Sequence, residues 1–305
     1  MKHLLTLEGW QPSDYEALFR QTDAFAEVLT REVPKVPALN GKTVAIVFFE
    51  NSTRTRVSFE TAAKRLGADV MSLAVANSSV SKGESLRDTI ATVIAMGADA
   101  VVIRHHASGT PHLISTWFDT CVINAGDGQH QHPTQGLLDT YCLTRHFGTL
   151  EGRRIGIIGD IRHSRVARSN VQAMTALGAE VVLIGPPTFI PDECDRWGVT
   201  IGYDLDAELG NIDVACVLRV QAERAATQFV PTMREYYERY GLTVARSRAM
   251  KEDAVVMHPG PMIRGSEIDV AVADGPRSLV SQQVSAGVAV RMSVLYRLLG
   301  SGEGL

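Results

Sequence analysis

Val44-Ala45-Ile46-Val47-Phe48-Phe49-Glu50-Asn51-Ser52-Thr53-Arg54-Thr55-Arg56 is the stretch on which the fold turns. It starts as a continuous apolar, β-branched run, the pattern of a strand buried on both faces. It ends in three hydroxyls and two guanidiniums within five residues, Ser52 to Arg56. Directly afterwards Phe59, Ala62, Ala63 and Leu66 recur at helical spacing until Gly67 stops the pattern. A strand feeding a helix through a polar turn is the unit from which parallel α/β sheets are built. The turn itself has the chemistry of a phosphate site. Unpaired amides at a helix start point outward, and the helix dipole favours negative charge there. Hydroxyls add short hydrogen bonds and arginine adds bidentate, charge-assisted ones. A plain N-cap on Ser52-Thr53 would be worth about 1 kcal/mol, and it calls for neither the arginines nor the second threonine.

The same plan repeats outward from this stretch. Apolar runs at Val70–Leu73, Ala100–Ile103 and Cys121–Ile123 read as further strands, with a helix over Ser85–Met96 ending at Gly97. A second series follows at Ile155–Ile158, Val181–Ile184, Val214–Leu218 and Ala254–Met257, with helices at Val166–Leu177 and Met233–Tyr240. Ahead of both series, Ser13 is the expected cap of a helix running to about Arg31. Thr134–Phe147 predicts a helix linking the two series, and Leu279–Leu299 predicts a long final helix with no strand after it. A chain of 305 residues exceeds the usual size of a single core. The expected architecture is therefore α/β, with two doubly wound parallel-sheet domains joined by a linking helix. The expected divisions are 1–133, a linking helix at 134–148, a second domain at 149–285, and a terminal helix at 286–305.

Ligands bind outside the carboxyl ends of strands in open α/β sheets. The residues that follow the strands are Ser52–Arg56, Arg104-His105-His106, His132-Pro133-Thr134-Gln135, Gly159-Asp160 with Arg165, Arg219-Val220-Gln221, and His258-Pro259-Gly260-Pro261. Cations, imidazoles and amides converge there although the chain carries a net charge of −4. That acidic balance argues against a nucleic-acid or membrane-surface binder and for a local anion site. A lone arginine after a strand is ordinarily a solvated surface residue, so the convergence carries more than any one member. His105, His106, His130 and His163 read as loop polar residues. His130 and His132 have no carboxylate or cysteine at a ligand spacing from both, so no metal is expected. Ile155-Gly156-Ile157-Ile158-Gly159-Asp160 lacks the dinucleotide fingerprint spacing, and no cofactor is expected. Cys121, Cys142, Cys194 and Cys216 are scattered and read as small core residues. The loop Asn77–Glu84 reads either as a flexible connection or as a mobile arm presenting Lys82. Neither a signal peptide nor a transmembrane run is read, and a cytoplasmic location is the expectation.

Phe49–Arg56 with Phe59-Glu60 resembles the carbamoyl-phosphate motif of the transcarbamoylases, and His132-Pro133-Thr134-Gln135 resembles their second motif. Ser79–Glu84, Gly159-Asp160 with Arg165, Leu218-Arg219-Val220-Gln221 and His258-Pro259-Gly260-Pro261 are similar to the catalytic chains of the aspartate carbamoyltransferases. The matches run in order over nearly the whole chain. The resemblance implies carbamoyl phosphate held mainly by the first domain, aspartate by the second, and a terminal helix packing back on the first. It implies Ser52, Thr53, Arg54 and Thr55 on the phosphate. Arg104, His132 and Thr55 would lie on the carbamoyl oxygen, and Gln135 with the carbonyls of Gly260 and Pro261 on the amide. Arg165, Arg219, Gln221 and Lys82 would take aspartate, and Glu50 would latch domain closure. Arg54, Thr55, Lys82, Arg104 and His132 are the implied catalytic set. A homotrimer with shared active sites is implied, with Lys82 coming from the neighbour, and association with regulatory or dihydroorotase-like subunits is compatible. The reaction so implied gives N-carbamoyl-L-aspartate and phosphate, an early committed step of pyrimidine synthesis. The alternatives are a transcarbamoylase for another amino acid such as ornithine, or a catalytically silent scaffold homologue. Gly260 departs from the larger apolar residue of some relatives, which would make its loop more flexible.

Overall fold

The computed structural model describes residues 2–74, 84–220 and 232–300. The chain divides into two compact units, residues 1–138 with 285–305, and residues 139–284. Helix α5 (Pro133–Phe147) carries the chain from the first unit into the second, and helix α11 (Val280–Leu299) carries it back.

In the first unit the strands are β1 (Thr43–Phe48), β2 (Asp69–Ala74), β3 (Ala100–His105) and β4 (Cys121–Asp127), all parallel in the order β2-β1-β3-β4. Helices α1 (Pro12–Val28), α2 (Thr53–Arg65), α3 (Leu86–Ala95) and α4 (Thr110–Trp117) accompany them. Ala45, Val47, Val101, Ile103 and Val122 form a core with Ile90 and Val93 of α3 and Ile114 of α4. Strands buried this completely cannot alternate polar and apolar residues, which is why the sequence shows unbroken apolar runs. The outer edge of β4 is covered by the N-terminal segment, where Leu4 donates to the Val122 carbonyl and accepts from Asn124. Pairing that edge removes a template for association with other chains. Helix α11 packs against α1 and α2. Ser293 bonds Thr22, Tyr296 stacks edge-on to Phe25, and buried Arg291 donates to Ser58 while lying 5.2 Å over the Phe59 ring.

The second unit holds β5 (Arg154–Ile158), β6 (Glu180–Ile184), β7 (Thr200–Gly202), β8 (Val214–Val217) and β9 (Val255–Met257), parallel in the order β7-β6-β5-β8-β9. Its helices are α6 (Arg165–Ala176), α7 (Leu205–Leu209), α8 (Met233–Tyr240), α9 (Val244–Ala249) and α10 (Val270–Ala273). Ile158, Val182, Ile184, Ala215, Val217 and Val256 pack with Phe189, Leu205, Leu209 and Tyr236. One device recurs in the two sheets. Asp99 ahead of β3 accepts from the Thr43 amide at the start of β1, and Asp213 ahead of β8 accepts from the Arg154 amide at the start of β5.

Several expectations need correction. Ser13 is not the cap of α1. Gln11 stands there, and Asp14 reaches back to accept its amide at 3.0 Å. Pro12 begins the helix, as a residue lacking an amide hydrogen does at no cost in that position. Strand β7 and helices α4, α7, α9 and α10 were not read from the sequence. β7 has only three residues at a sheet edge, too short to show a period of two. All four cysteines are free and buried, and burial pushes the Cys121 and Cys142 thiols up to about 12, so neither offers a reactive thiolate at neutral pH.

Candidate active site

Each sheet has one place where the chain reverses its direction of winding. In the first unit the strands run from β1 outward to β2 on one side and to β3 and β4 on the other, so the crevice lies between β1 and β3. In the second unit it lies between β5 and β8. Such crevices are where open α/β sheets bind ligands, because adjacent connections leave to opposite faces.

The first crevice collects the polar turn. Phe48 at the end of β1 is in register with Arg104 of β3, and α2 starts at Thr53 directly after β1. Ser52 occupies the N-cap in an extended conformation, but its side chain makes no capping bond. The plain-cap reading therefore falls away. Thr53 and Arg54 are exposed, while Thr55 is buried. Among the described residues no ion pair engages Arg54. Arg56, by contrast, pairs along its own helix with Glu60 at 3.9 Å. It therefore belongs to the helix surface.

Arg104 is 13% exposed and held from two directions. Its Nη1 donates to the Ala125 carbonyl at 3.1 Å, and its Nε lies 3.4 Å from the Glu50 carboxylate. A planar guanidinium can satisfy both at once. On the next strand His132 follows β4 and is buried at 4% exposure. Its carbonyl accepts the Gln135 and Gly136 amides, so it stands at the cap of α5, with Pro133 as the first helical residue. The loop that delivers it is organised by Asp127, a buried carboxylate absent from the sequence-level site. Asp127 accepts from the Gly109 and Gln131 amides and from the Asn124 side chain, and pairs with His130 Nδ1 at 3.1 Å. His130 thus braces the loop, consistent with a polar loop residue. His105 is stacked 4.1 Å from His106; burial, then the neighbouring imidazole, hold its pKa below the ordinary value.

The second crevice collects the other half. Gly159 follows β5 at φ +123°, a conformation open to glycine and strained for other residues. Asp160 is fully buried and accepts both the backbone amide and Nδ1 of His163. Ser164 caps α6, and Arg165 is its first residue. On the adjacent strand Arg219 follows Leu218, whose amide is tied to the Ile158 carbonyl at the end of β5. The loop after β9 runs His258-Pro259-Gly260-Pro261 with a cis bond between Gly260 and Pro261, and Gly260 has φ +65°. Gly260 lies in the left-handed region, which glycine adopts without a Cβ clash. Ser52–Thr55, Arg104, His132 and Gln135 are thus brought to one sheet end, and Arg165, Arg219 and Gly260-Pro261 to the other. Lys82 and Gln221 lie outside the described residues. Among the described residues no cluster of three His, Cys, Asp or Glu could hold a metal ion. Among them, too, no helix is long and apolar enough to cross a membrane.

Two parallel-sheet units, each with arginines at the residues following its winding reversal, define a two-domain α/β class with candidate anion sites at both. Comparison with known proteins narrows the class. Residues 2–145 match the family described as "Aspartate/ornithine carbamoyltransferase, carbamoyl-P binding domain", and residues 151–298 match its "Asp/Orn binding domain". The aspartate carbamoyltransferase catalytic subunit of Acidothermus cellulolyticus is 53% identical over 303 residues, covering 99% of this chain and 94% of that one. A crystal structure of Trypanosoma cruzi aspartate transcarbamoylase with carbamoyl aspartate and phosphate superposes with a TM-score of 0.89 at 30% identity, covering 98% and 96% of the two chains. The same enzyme with N-(phosphonacetyl)-L-aspartic acid gives 0.88 at 29% identity over the same shares. The chain belongs to the aspartate/ornithine carbamoyltransferase family, and the relatives named here stand on its aspartate branch.

Proposed function

We infer that the protein transfers the carbamoyl group of carbamoyl phosphate to the amine of L-aspartate, giving N-carbamoyl-L-aspartate and phosphate. The observation that carries this reading is the pairing of two chemistries within one chain. A helix start rich in hydroxyls and arginine suits a phosphate, and two arginines at the second crevice suit a dicarboxylate.

In this mechanism Ser52, Thr53, Arg54 and Thr55 bind the phosphate, with the first amides of α2 adding their dipole. Arg104, His132 and Thr55 donate to the carbamoyl oxygen, where negative charge develops as the amine attacks. Gln135 and the carbonyls of Gly260 and Pro261 hold the carbamoyl amide. Arg165, Arg219 and Gln221 hold the two carboxylates of aspartate, and Lys82 reaches both ligands. The new bond forms between the aspartate nitrogen and the carbamoyl carbon. The carbon–oxygen bond to phosphate then breaks, phosphate keeps the electron pair, and its oxygen accepts the proton lost by the amine. His132 acts as an electrophilic donor, since phosphate supplies the base. No covalent enzyme intermediate is required. Each oxyanion donor contributes about 3 kcal/mol, and positioning of two mutually repelling substrates supplies much of the rest.

Glu50 competes with substrate for Arg104. Once the carbamoyl oxygen takes the guanidinium, the Glu50 carboxylate is released for the domain-closure role that the resemblance implies. The working form is a homotrimer in the cytoplasm with Lys82 donated by the neighbouring chain, and the product feeds pyrimidine synthesis. Further association with regulatory or dihydroorotase-like subunits is compatible with this form. The test is incubation with carbamoyl phosphate and a panel of amino acids, with mass determination in solution. Carbamoyl-aspartate formation by a species of three chains is expected. Turnover of ornithine without aspartate would overturn the reading.

A further inference from the structure

Beneath the Gly260-Pro261 turn lies a chain of buried polar side chains to which the reaction assigns no part. His258 is 1% exposed and Glu267 is fully buried. The Gly260 amide donates to His258 Nδ1 at 2.9 Å. A backbone amide can only donate, so Nδ1 carries a lone pair and the ring proton sits on Nε2. Nε2 faces Glu267 Oε1 at 3.2 Å, and the same oxygen accepts the Ile263 amide at 2.6 Å. The two side chains therefore grip the loop at 260 and at 263, on either side of the Pro261 carbonyl.

The grip is anchored further back. The His258 amide donates to Gln283 Oε1 at 3.1 Å, Gln283 Nε2 donates to Asp139 Oδ1 at 2.7 Å, and Asn170 Nδ2 donates to Asp139 Oδ2 at 2.9 Å. Gln283, Asp139 and Asn170 are all at most 4% exposed. The loop is thus fastened to the first turn of α11, to α5, and to α6, the helix that begins with Arg165. Burying this many polar groups is costly unless it fixes something, because apolar residues of equal volume would pack at least as well.

We propose that His258 and Glu267 are positioning residues that fix the Gly260 and Pro261 carbonyls as acceptors for the carbamoyl amide, an inference that rests on the substrate reading above. Neither touches substrate. Their effect is selective recognition of an NH2 group on the carbonyl carbon of an acyl phosphate. Acetyl phosphate keeps the phosphate and the carbonyl but carries a methyl group in that place, so it gains nothing from the two acceptors.

The experiment measures dissociation constants of carbamoyl phosphate and acetyl phosphate by calorimetry for wild type, Glu267→Ala, His258→Gln and Glu267→Gln. Wild type is expected to favour carbamoyl phosphate by about tenfold or more, the size of one to two neutral hydrogen bonds. Glu267→Ala and His258→Gln should lose most of that preference while acetyl phosphate binds within about twofold of wild type. Glu267→Gln keeps an oxygen that can accept from Ile263 and from His258, and should restore the preference. Retention of the preference in both disrupting variants, or equal weakening of the two ligands, overturns the positioning role. Loss of the fold in both disrupting variants assigns the pair to stability alone and overturns it as well. A wild-type protein that binds both ligands equally sinks the underlying substrate reading instead.

Discussion

Replacing Arg104 separates the oxyanion reading from a merely electrostatic one. The Arg104 side chain is 13% exposed, donates to the Ala125 carbonyl at 3.1 Å and lies 3.4 Å from Glu50. Arg104→Ala removes one neutral-acceptor hydrogen bond and one partly buried ion pair. Together these are worth about 1–3 kcal/mol of stability, which lowers the melting temperature by several degrees in a chain of this length. The catalytic loss is of a different size. One oxyanion donor is worth about 10²–10³ in kcat. Binding of inorganic phosphate has no carbamoyl oxygen to engage, so its Kd should change by less than about threefold. Arg104→Lys keeps the charge but cannot reach two acceptors with one ammonium, and should recover at most a tenth of the lost rate. The assay is steady-state formation of carbamoyl-aspartate with parallel phosphate calorimetry. A folded Arg104→Ala protein with kcat within threefold of wild type would refute the reasoning. Phosphate affinity falling as far as kcat would refute it too, by placing Arg104 on the leaving group.

Arg54→Ala should cut turnover at least about 10³-fold with melting unchanged within a degree or two, because Arg54 is exposed; retained activity with an intact fold would favour the scaffold alternative. Gly159→Ala builds a Cβ 2.9 Å from the Tyr236 hydroxyl and 3.2 Å from the Leu218 carbonyl, at φ +123°. It should displace Leu218-Arg219 and raise the KM for aspartate by about tenfold or more, with the KM for carbamoyl phosphate nearly unchanged; equal shifts in both KM values would count against that assignment. Burial works against ionisation of Asp99 and Asp213, but the strand amides and Lys42 or Lys251 outweigh it and hold both carboxyls below the ordinary 3.8. A depressed folded pKa gives stability that is full above the unfolded value and lost as pH falls through the folded one. Urea unfolding should show wild type losing stability below about pH 4, with Asp213→Asn less stable at neutral pH and flatter on acidification. A wild-type curve no steeper than that of the variant would exclude the linkage.

The sequence by itself determined the repeating strand-and-helix units, because strands buried on both faces leave unbroken apolar runs and glycines mark the helix ends. It also determined which residue types stand at the strand ends, and the run Ser52–Arg56 carries its chemistry in adjacent positions. What tertiary structure decided is everything that depends on strand order. The winding reversals between β1 and β3 and between β5 and β8 bring the ends of these strands, and so the residues that follow them, to one edge of each sheet, and no local pattern encodes an order of strands. Short edge elements such as β7 are not legible in the sequence because three residues carry no measurable period. The supporting groups are not legible in it for a different reason. Nothing local in the sequence marks Asp127 or Glu267 as a supporting group, and only the fold shows each buried and bonded to the loop it holds. A carboxylate's role follows from its solvation and its donors, and both are set by parts of the chain distant in sequence.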